Sequence, residues 1–459
     1  MKMTTNEFIE QHKDSFLDEL FTFLRIASVS TDSSRKTEVE KAADFLLNQL
    51  NSLTLSRVER FETEGHPIVY GEHCPFDDRP TVLIYGHYDV QPSDPDHLWD
   101  SPPFEPTLKD GKIYARGASD DKGQSFTHIK ALQSLIKADG SIPVNVKILL
   151  EGEEEIGSPN LVPFIESHKD MLGCDMVLIS DTSMFGLDQP SITFGLRGLA
   201  YMEVEVVGPN RDLHSGVYGG AVENPLNVLC EIIAQLKDAD GVIQIPGFYD
   251  KVVDLTPDDR KAMADLPFDE TAYKASLDVD AVHGEKGYST LERASARPTL
   301  DVNGIWGGYQ GEGAKTVLPS KANAKISMRL VPNQDPHEIA ELFKQHVLSL
   351  APDTVKIKVT EHHGGYASRT DLNFYGLKAA ASAFEDIYQT KVLFSMEGGS
   401  IPIVADFKRV LDAESILMGF GVTSDAIHSP NESFHVKDFY RGIKTSARFF
   451  QLLAEDAIS

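Results

Sequence analysis

Cysteine is scarce in this chain. Cys74, Cys174 and Cys230 are its three, an odd number without a C-x-x-C pair. Neither a disulfide framework nor a cysteine-based zinc site is expected, and a reducing cytoplasm suits the composition. Basic charge is also short: 43 Lys and Arg stand against 70 Asp and Glu, a formal net charge of −27. A nucleic-acid groove needs a basic stripe, so that class of partner is excluded. Most of the acidity serves solubility, and a cation site accounts for only a few of the charges. No apolar run approaches the roughly 20 residues of a membrane span. The N-terminus, MKMTTNEFIEQHKDSFLDELFTFLRI, lacks the h-region of a signal peptide. No internal repeat, G-x-S-x-G elbow or H-E-x-x-H is present. GYQGEGAKT approaches a phosphate-binding loop, but Ala314 stands where G-K-T needs glycine.

What is present is globular: 41% hydrophobic and 25% charged over 459 residues, which implies two or three domains. The apolar periodicity predicts helices over 5–26 and 37–53, strands near 67–71 and 81–86, and a helix after Asp121. It then predicts a strand at 144–150, a helix in LVPFIESHKDML and a strand at 176–180. That alternation implies an α/β domain with a mostly parallel sheet covered by helices on both faces. Near residue 191 the pattern changes. ITFGLRGLAYMEVEVVG alternates as a half-exposed strand, and two more such strands follow, interleaved with two helices. This inventory predicts an α+β sandwich over 197–366, inserted into a larger domain made of 1–196 and 367–459. The polar, proline-punctuated stretch 240–300 shows no site.

Acids and histidines gather at the ends of the apolar runs. PTVLIYGHYD ends in His87 and Asp89, VNVKILLEGEEE in Glu153, Glu154 and Glu155, and MVLIS is followed by Asp181. In open α/β sheets the ligand site lies beyond the carboxyl ends of the strands. A charge there is costly unless paired, hydrated or bound to metal. H-x-D alone is weak, since a turn histidine beside a capping Asp reads the same way. Asp120 and Asp121, in GASDDKG, precede a helix, so one of them is an N-cap candidate. The other can offer two oxygens to two cations, as bridging carboxylates do in two-metal hydrolases. Gly117 and Gly123 permit the tight backbone this needs. Adjacent glutamates allow one to bind metal and the other to move a proton. His428 sits in a Gly/Ser/Asn-rich loop, where an exposed histidine needs a reason.

Taken jointly, GHYDVQP, RGASDDKG, LEGEEEIGS, ISDT, DLHSGVYGG, GAKTVLP, RLVPN, EGGSIP and the His428 loop resemble the M20 metallopeptidases. The similarity is to the cytosolic non-specific dipeptidase and carnosinase branch in particular, from about residue 15 to 455. The resemblance implies two divalent cations per subunit, zinc or manganese. It puts His87 and Asp181 on one cation, Glu155 and His428 on the other, and Asp120 between them. It makes Glu154 the general base and gives Asp89 an orienting role on the His87 side. It also implies a cis peptide between Asp120 and Asp121, and leaves Glu153 without a role. It makes His214 an oxyanion donor acting across a homodimer, and the insertion a lid and dimerisation domain. Arg329 would grip a substrate carboxylate, and Thr316 and Ser400 match further binding positions. Gly398 and Gly399 allow close backbone approach, and Glu397 is a candidate for a substrate ammonium. The expected activity is hydrolysis of dipeptides with a free C-terminal carboxylate. An N-acyl amino acid deacylase or desuccinylase would use the same ligands. A non-catalytic scaffold is disfavoured by the full ligand set, and a glycosidase leaves His87 and His428 unexplained.

Overall fold

The computed structural model describes residues 3–399 and 401–456. The chain divides into two compact units. One comprises the residues up to Phe194, Thr370–Ser395 and those from Asp406 onward. The other comprises Gly195–Arg369 and Met396–Ala405. Among the described residues no helix is long and apolar enough to cross a membrane.

In the first unit, Asn145–Glu151, Thr81–His87, Met176–Ile179 and Glu414–Leu417 lie side by side in that order and run parallel. Val82, Leu83, Ile84 and Tyr85 are all buried, as are Met176 through Ile179. Burial on both faces is why these strands read as unbroken apolar runs. The margins differ from the centre. Ile68–His73 is antiparallel to Asn145–Glu151, Arg57–Phe61 is antiparallel to Ile68–His73, and Ser191–Leu196 pairs antiparallel with Glu414–Leu417. The mostly parallel sheet expected from the alternation is thus a parallel centre with antiparallel flanks.

The helix predicted over 5–26 is two, Thr5–Gln11 and Lys13–Leu24. His12 interrupts it: Nδ1 donates to the Phe8 carbonyl at 2.8 Å while the ring stacks on Phe8. The same device splits LVPFIESHKDML into Leu161–Ser167 and Lys169–Leu172, with His168 Nδ1 on the Phe164 carbonyl at 2.9 Å and its ring on Phe164. In both, the carbonyl accepts the ring nitrogen together with the histidine's own backbone N–H, at 3.1 Å for His12 and 3.0 Å for His168, and the first helix ends there.

Lys122–Asp139 packs against Thr81–His87 on one side and against Val436–Asp456, Thr5–Gln11 and Lys13–Leu24 on others. Almost every side chain on it is therefore buried, including Lys130, whose ammonium reaches Glu19, Gln49 and Gln133. His128 is buried on the same helix. Its Nε2 donates to Ser180 Oγ (2.8 Å), which passes its own proton to the Met418 carbonyl (2.6 Å). Ser446 Oγ donates to Nδ1 (3.0 Å). Burial pulls this ring down to about 3. The folded state holds it neutral, whereas the unfolded chain protonates it below about 6.5. Its contribution is complete above that value and is lost as pH falls toward the folded pKa, at up to about 1.4 kcal/mol per pH unit. His128→Gln should therefore make stability less steep between pH 6.5 and 4. Denaturant midpoints of both proteins at several pH values check this, and parallel profiles would contradict it.

In the second unit, Thr299–Gly307, Lys321–Leu330, Gly198–Val207 and Lys356–Gly365 form an antiparallel sheet in that order. Gly198–Val207 and Lys321–Leu330 alternate. Their buried faces (Met202, Val204, Ile326, Met328) share a core with Leu229 and Ile232 of Pro225–Ala234 and with Phe343 and Val347 of Pro336–Ser349. The run read as one strand from 191 breaks at Arg197. Before it lies the wholly buried Ser191–Leu196 and after it the alternating strand. Within 240–300 the chain forms short helices Pro257–Ala264, Glu270–Ser276 and Thr290–Ser295.

Candidate metal centre

The parallel register puts the site together. His87 is the last residue of its strand and pairs with Glu151, so the glutamates that follow Glu151 emerge beside it. On the other side Tyr85 pairs with Ile179, two residues before Asp181. The turn carrying Asp120 enters the same rim because Lys122–Asp139 packs directly under Thr81–His87. That turn needs its glycines. Gly117 sits at φ +82°, and a Cβ on Gly123 would come within 1.9 Å of the Ala118 carbonyl oxygen. The Asp120–Asp121 peptide is cis.

Two groups of ligand atoms result, each within 4.8 Å: His87, Asp120 and Asp181, and Asp120, Glu155 and His428. Asp120 belongs to both. Its Oδ1 lies 3.1 Å from His87 Nε2 and its Oδ2 2.8 Å from His428 Nε2, which is also 3.4 Å from Glu155 Oε2. A carboxylate with one oxygen toward each imidazole is the arrangement a bridging ligand requires.

The electrostatics fit a cation pair. Burial pushes Asp181 up to about 7, with the charge of Asp120 adding to it and that of His87 opposing. Burial likewise pushes Glu154 up to about 8, against the pull of His87, with Asp181, Glu155 and Asp120 adding. Asp121 is raised as well, again by burial first. His428 moves up to about 10 because Asp120 and Glu155 accept from it. Asp120, despite its burial, is held low by His428 and His87. The carboxylates of Asp120, Asp121, Glu154, Glu155 and Asp181 outnumber the two imidazoles, and an oxygen and nitrogen donor set of this kind suits divalent cations.

The surrounding contacts explain how these side chains are aimed. His87 Nδ1 donates to the Asp89 backbone carbonyl at 3.1 Å, which directs Nε2 to the site. The Asp89 carboxylate does something sequence reasoning missed: Oδ1 accepts the Glu154 N–H (3.2 Å) and Oδ2 the Glu155 N–H (3.1 Å). It thereby fastens the glutamate turn to the end of the His87 strand. Gln91 was also missed. Its backbone N–H and Nε2 hold the two oxygens of Glu155, at 3.1 and 2.7 Å. Glu153 is neither ligand nor solvated: it is buried and accepts from His66 N–H and from the backbone and side chain of Asn160. Asp121 sits at the N-cap position of Lys122–Asp139 without capping it, and its Oδ2 accepts the His87 N–H at 3.3 Å. In the case of Asp121, helix capping gives way to the site.

The remaining candidates lie in the second unit. His214 is exposed at the end of Leu213–His214, opposite Val317, and Ser215 N–H bonds the Thr316 carbonyl, so His214 and Thr316 are neighbours. His214 Nδ1 accepts the Gly216 N–H at 2.9 Å, which leaves Nε2 to donate from a neutral ring. Arg329 stands opposite Leu199 and Thr299. Near it is Arg197, which sequence reasoning passed over. Burial, with the charge of Arg329 adding to it, brings Arg197 down to about 10. Its guanidinium donates to backbone carbonyls, Nε to Gly398 at 3.2 Å and Nη1 to Arg297 at 3.3 Å. A Cβ on Gly398 would meet the Ala294 carbonyl oxygen at 2.3 Å and Arg197 Nη2 at 2.7 Å. Glu397 ends the strand Leu393–Glu397, and Ser400 lies outside the described residues.

The family model described as Peptidase family M20/M25/M40 matches residues 83–452. The Cys-Gly metallodipeptidase dug1 of Schizosaccharomyces pombe is 34% identical, over 99% of this chain and 99% of that protein. The Beta-Ala-His dipeptidase of Homo sapiens is 30% identical, over 98% of this chain and 92% of that protein. Among solved structures, the M20 family metallo-carboxypeptidase Sso-CP2 from Sulfolobus solfataricus superposes with a TM-score of 0.81 at 33% identity, covering 96% of this chain and 99% of that one. With a ligand cluster of this chemistry at the rim of its parallel sheet, the chain belongs to peptidase family M20/M25/M40 and is a hydrolase of the peptidase class.

Proposed function

We propose that the chain is a metal-dependent dipeptidase that hydrolyses the amide bond of dipeptides bearing a free C-terminal carboxylate. The observation that carries this reading is Asp120 with one oxygen on His87 and the other on His428, beside a glutamate that belongs to neither ligand group. Full-length similarity to a Cys-Gly metallodipeptidase and a Beta-Ala-His dipeptidase supports the substrate class. His87 and Asp181 would hold one cation, Glu155 and His428 the other, and Asp120 both. When bound, two zinc or manganese ions polarise the scissile carbonyl and acidify water.

The chain's own residues do the rest. Glu154, its backbone fixed by Asp89, accepts a proton from the attacking water on its carboxylate and returns it to the departing amine nitrogen. His214 donates from Nε2 to the oxyanion, a contribution of about 2.7–4 kcal/mol where such donors have been removed elsewhere. Arg329 takes the substrate carboxylate, with Thr316 and Ser400 as further contacts. The protein acts as a cytoplasmic homodimer in this reading, with the inserted unit as lid and dimerisation surface.

The test is hydrolysis of an unblocked dipeptide against the matching N-acetyl amino acid, with metal restored and with a chelated control. Chelator-sensitive cleavage of the dipeptide alone is expected. Preference for the acylated compound would make the protein a deacylase with the same ligands. A separate result checks Arg329. Arg329→Met should raise KM for a free dipeptide roughly tenfold or more, the loss of a charged hydrogen bond being about 1.5–3 kcal/mol. It should leave the poor KM of the C-terminally amidated dipeptide unchanged. Equal losses on both substrates would remove the carboxylate from its role.

A further inference from the structure

Behind the ligand cluster lies a buried ion pair that neither the proposed reaction nor the family resemblance uses. Glu432 is fully buried and accepts four hydrogen bonds. Oε2 takes Arg116 Nη1 at 2.8 Å and the Gly117 N–H at 2.9 Å. Oε1 takes the Ser119 N–H at 2.9 Å and the Asp120 N–H at 3.1 Å. Arg116, also buried, sends Nη2 to the carbonyls of Pro92 (3.1 Å) and Ser429 (3.3 Å). One ion pair therefore ties together three segments: the one after His87 and Asp89, the turn that carries Asp120, and the loop that carries His428.

The His428 loop needs such a fastening. Ala426, His428 and Asn431 have φ of 57°, 60° and 64°. That region is unfavourable for alanine, so at Ala426 the loop does not hold this shape by local preference. On its far side Asn431 fixes it through the Asp100 N–H and the Leu98 carbonyl, and Glu432 follows directly. A buried ion pair is by itself weak evidence of a stabilising role, since well-packed apolar residues often replace one without loss. Here, however, three of the four bonds to Glu432 come from backbone N–H groups of the Asp120 turn. An apolar replacement cannot receive them, and successive amides converging on one anion form a defined nest.

We infer that Glu432, set by Arg116, is a positioning residue that fixes the distance between Asp120 and His428 and so the geometry of the second ligand group. This rests on the two-cation reading above. Of the group Asp120, Glu155 and His428, two members sit on segments that Glu432 joins. Of the group His87, Asp120 and Asp181, only Asp120 sits on a segment that Glu432 itself bonds, the segment after His87 being reached through Arg116 and Pro92 alone. Loss of the Glu432 carboxylate should thus weaken the two unequally.

The experiment titrates metal-free full-length protein with Mn2+, reads unbound Mn2+ by EPR, and records far-UV CD alongside. Wild type should bind two equivalents. Glu432→Gln, which keeps the shape but loses the charge and one acceptor oxygen, should bind the first nearly as tightly and the second about tenfold to a hundredfold more weakly, the usual effect of losing a contact behind a ligand. Its CD spectrum should be unchanged. Arg116→Lys, which leaves the three amide bonds to Glu432 intact, should keep more of the second site than Glu432→Gln does. If Glu432→Gln does not fold, Glu432→Asp, with the same charge and shorter reach, is read in the same way. Wild-type affinity for both equivalents in a folded Glu432 variant overturns the inference. Fewer than two equivalents in wild type overturns the two-cation reading beneath it.

Discussion

Glu154→Gln should lower kcat for dipeptide hydrolysis about a thousandfold or more while the protein keeps the metal content of the wild type. Both halves follow from where Glu154 stands. It is absent from the two ligand groups, so its removal takes no ligand away. Its N–H is held by Asp89 Oδ1 in the turn that also presents Glu155, and that bond involves only backbone on the Glu154 side, so the turn survives the substitution. Gln matches the side chain in shape but cannot take up a proton. A positioned acid or base contributes about 10²–10⁴ in rate, and here the same carboxylate is asked both to accept a proton and to return it. KM should move little. Metal analysis beside steady-state kinetics decides the matter: metal lost in proportion to activity would make Glu154 a ligand, and undiminished turnover per metal would remove it as the base.

The contrast between Glu154 and Glu432 shows what the sequence made legible. Glu154 follows an unbroken apolar strand, and such strands are recognisable because burial on both faces leaves them no polar position. The carboxyl ends of the parallel strands are therefore readable from the sequence as a candidate site. Glu432 follows no such rule. Its partners Arg116, Gly117, Ser119 and Asp120 are more than 300 positions away, and three of them contribute only backbone N–H groups, which carry no sequence signature. Gln91 and the Asp89 carboxylate were missed for the same reason: their position was visible in GHYDVQP, but not the turn they would hold.

The stretch 240–300 was opaque for a different reason. Its composition is that of a loop because several of its buried positions are charged. Asp259 pairs with Arg369, Glu292 with Arg260 and Glu285 with Arg297, and two of its helices begin with capping boxes in which Asp259 and Glu292 also take part. Hydrophobic periodicity cannot detect helices stapled by ion pairs. The strand break at Arg197 is different: Gly198 follows it directly, where a Cβ would come within 2.5 Å of the Gly365 carbonyl oxygen, but the apolar pattern runs on across the junction and hides the break.

Asp120→Asn should be the most damaging single change, removing both metal equivalents where His428→Ala removes one. A shared ligand makes the two sites dependent on each other. Either oxygen of Asp120 faces one imidazole, at 3.1 Å to His87 and 2.8 Å to His428, and an amide offers a single neutral oxygen in place of two anionic ones. The fold should persist, because the Asp120 N–H remains on Glu432 and the turn is held by its amides rather than by the carboxylate. Ligand binding stabilises the native state by RT ln(1 + [L]/Kd), about 2.7 kcal/mol at a hundredfold excess over Kd. Wild type should therefore melt at a higher temperature on addition of Zn2+ or Mn2+, His428→Ala should show a smaller rise, and Asp120→Asn essentially none, with activity at background. If Asp120→Asn instead keeps one equivalent at wild-type affinity, the carboxylate serves one cation only and the sites are independent. Without cations, the acids around Asp120 are buried against one another, with Asp181 and Glu154 pushed up to about 7 and 8. The same crowding that makes these carboxylates unfavourable without cations is what makes the centre a tight receptor for two divalent charges, whereas Asp120 itself is held low by His428 and His87, so Asp120→Asn should also lose the stability of those two contacts in metal-free protein.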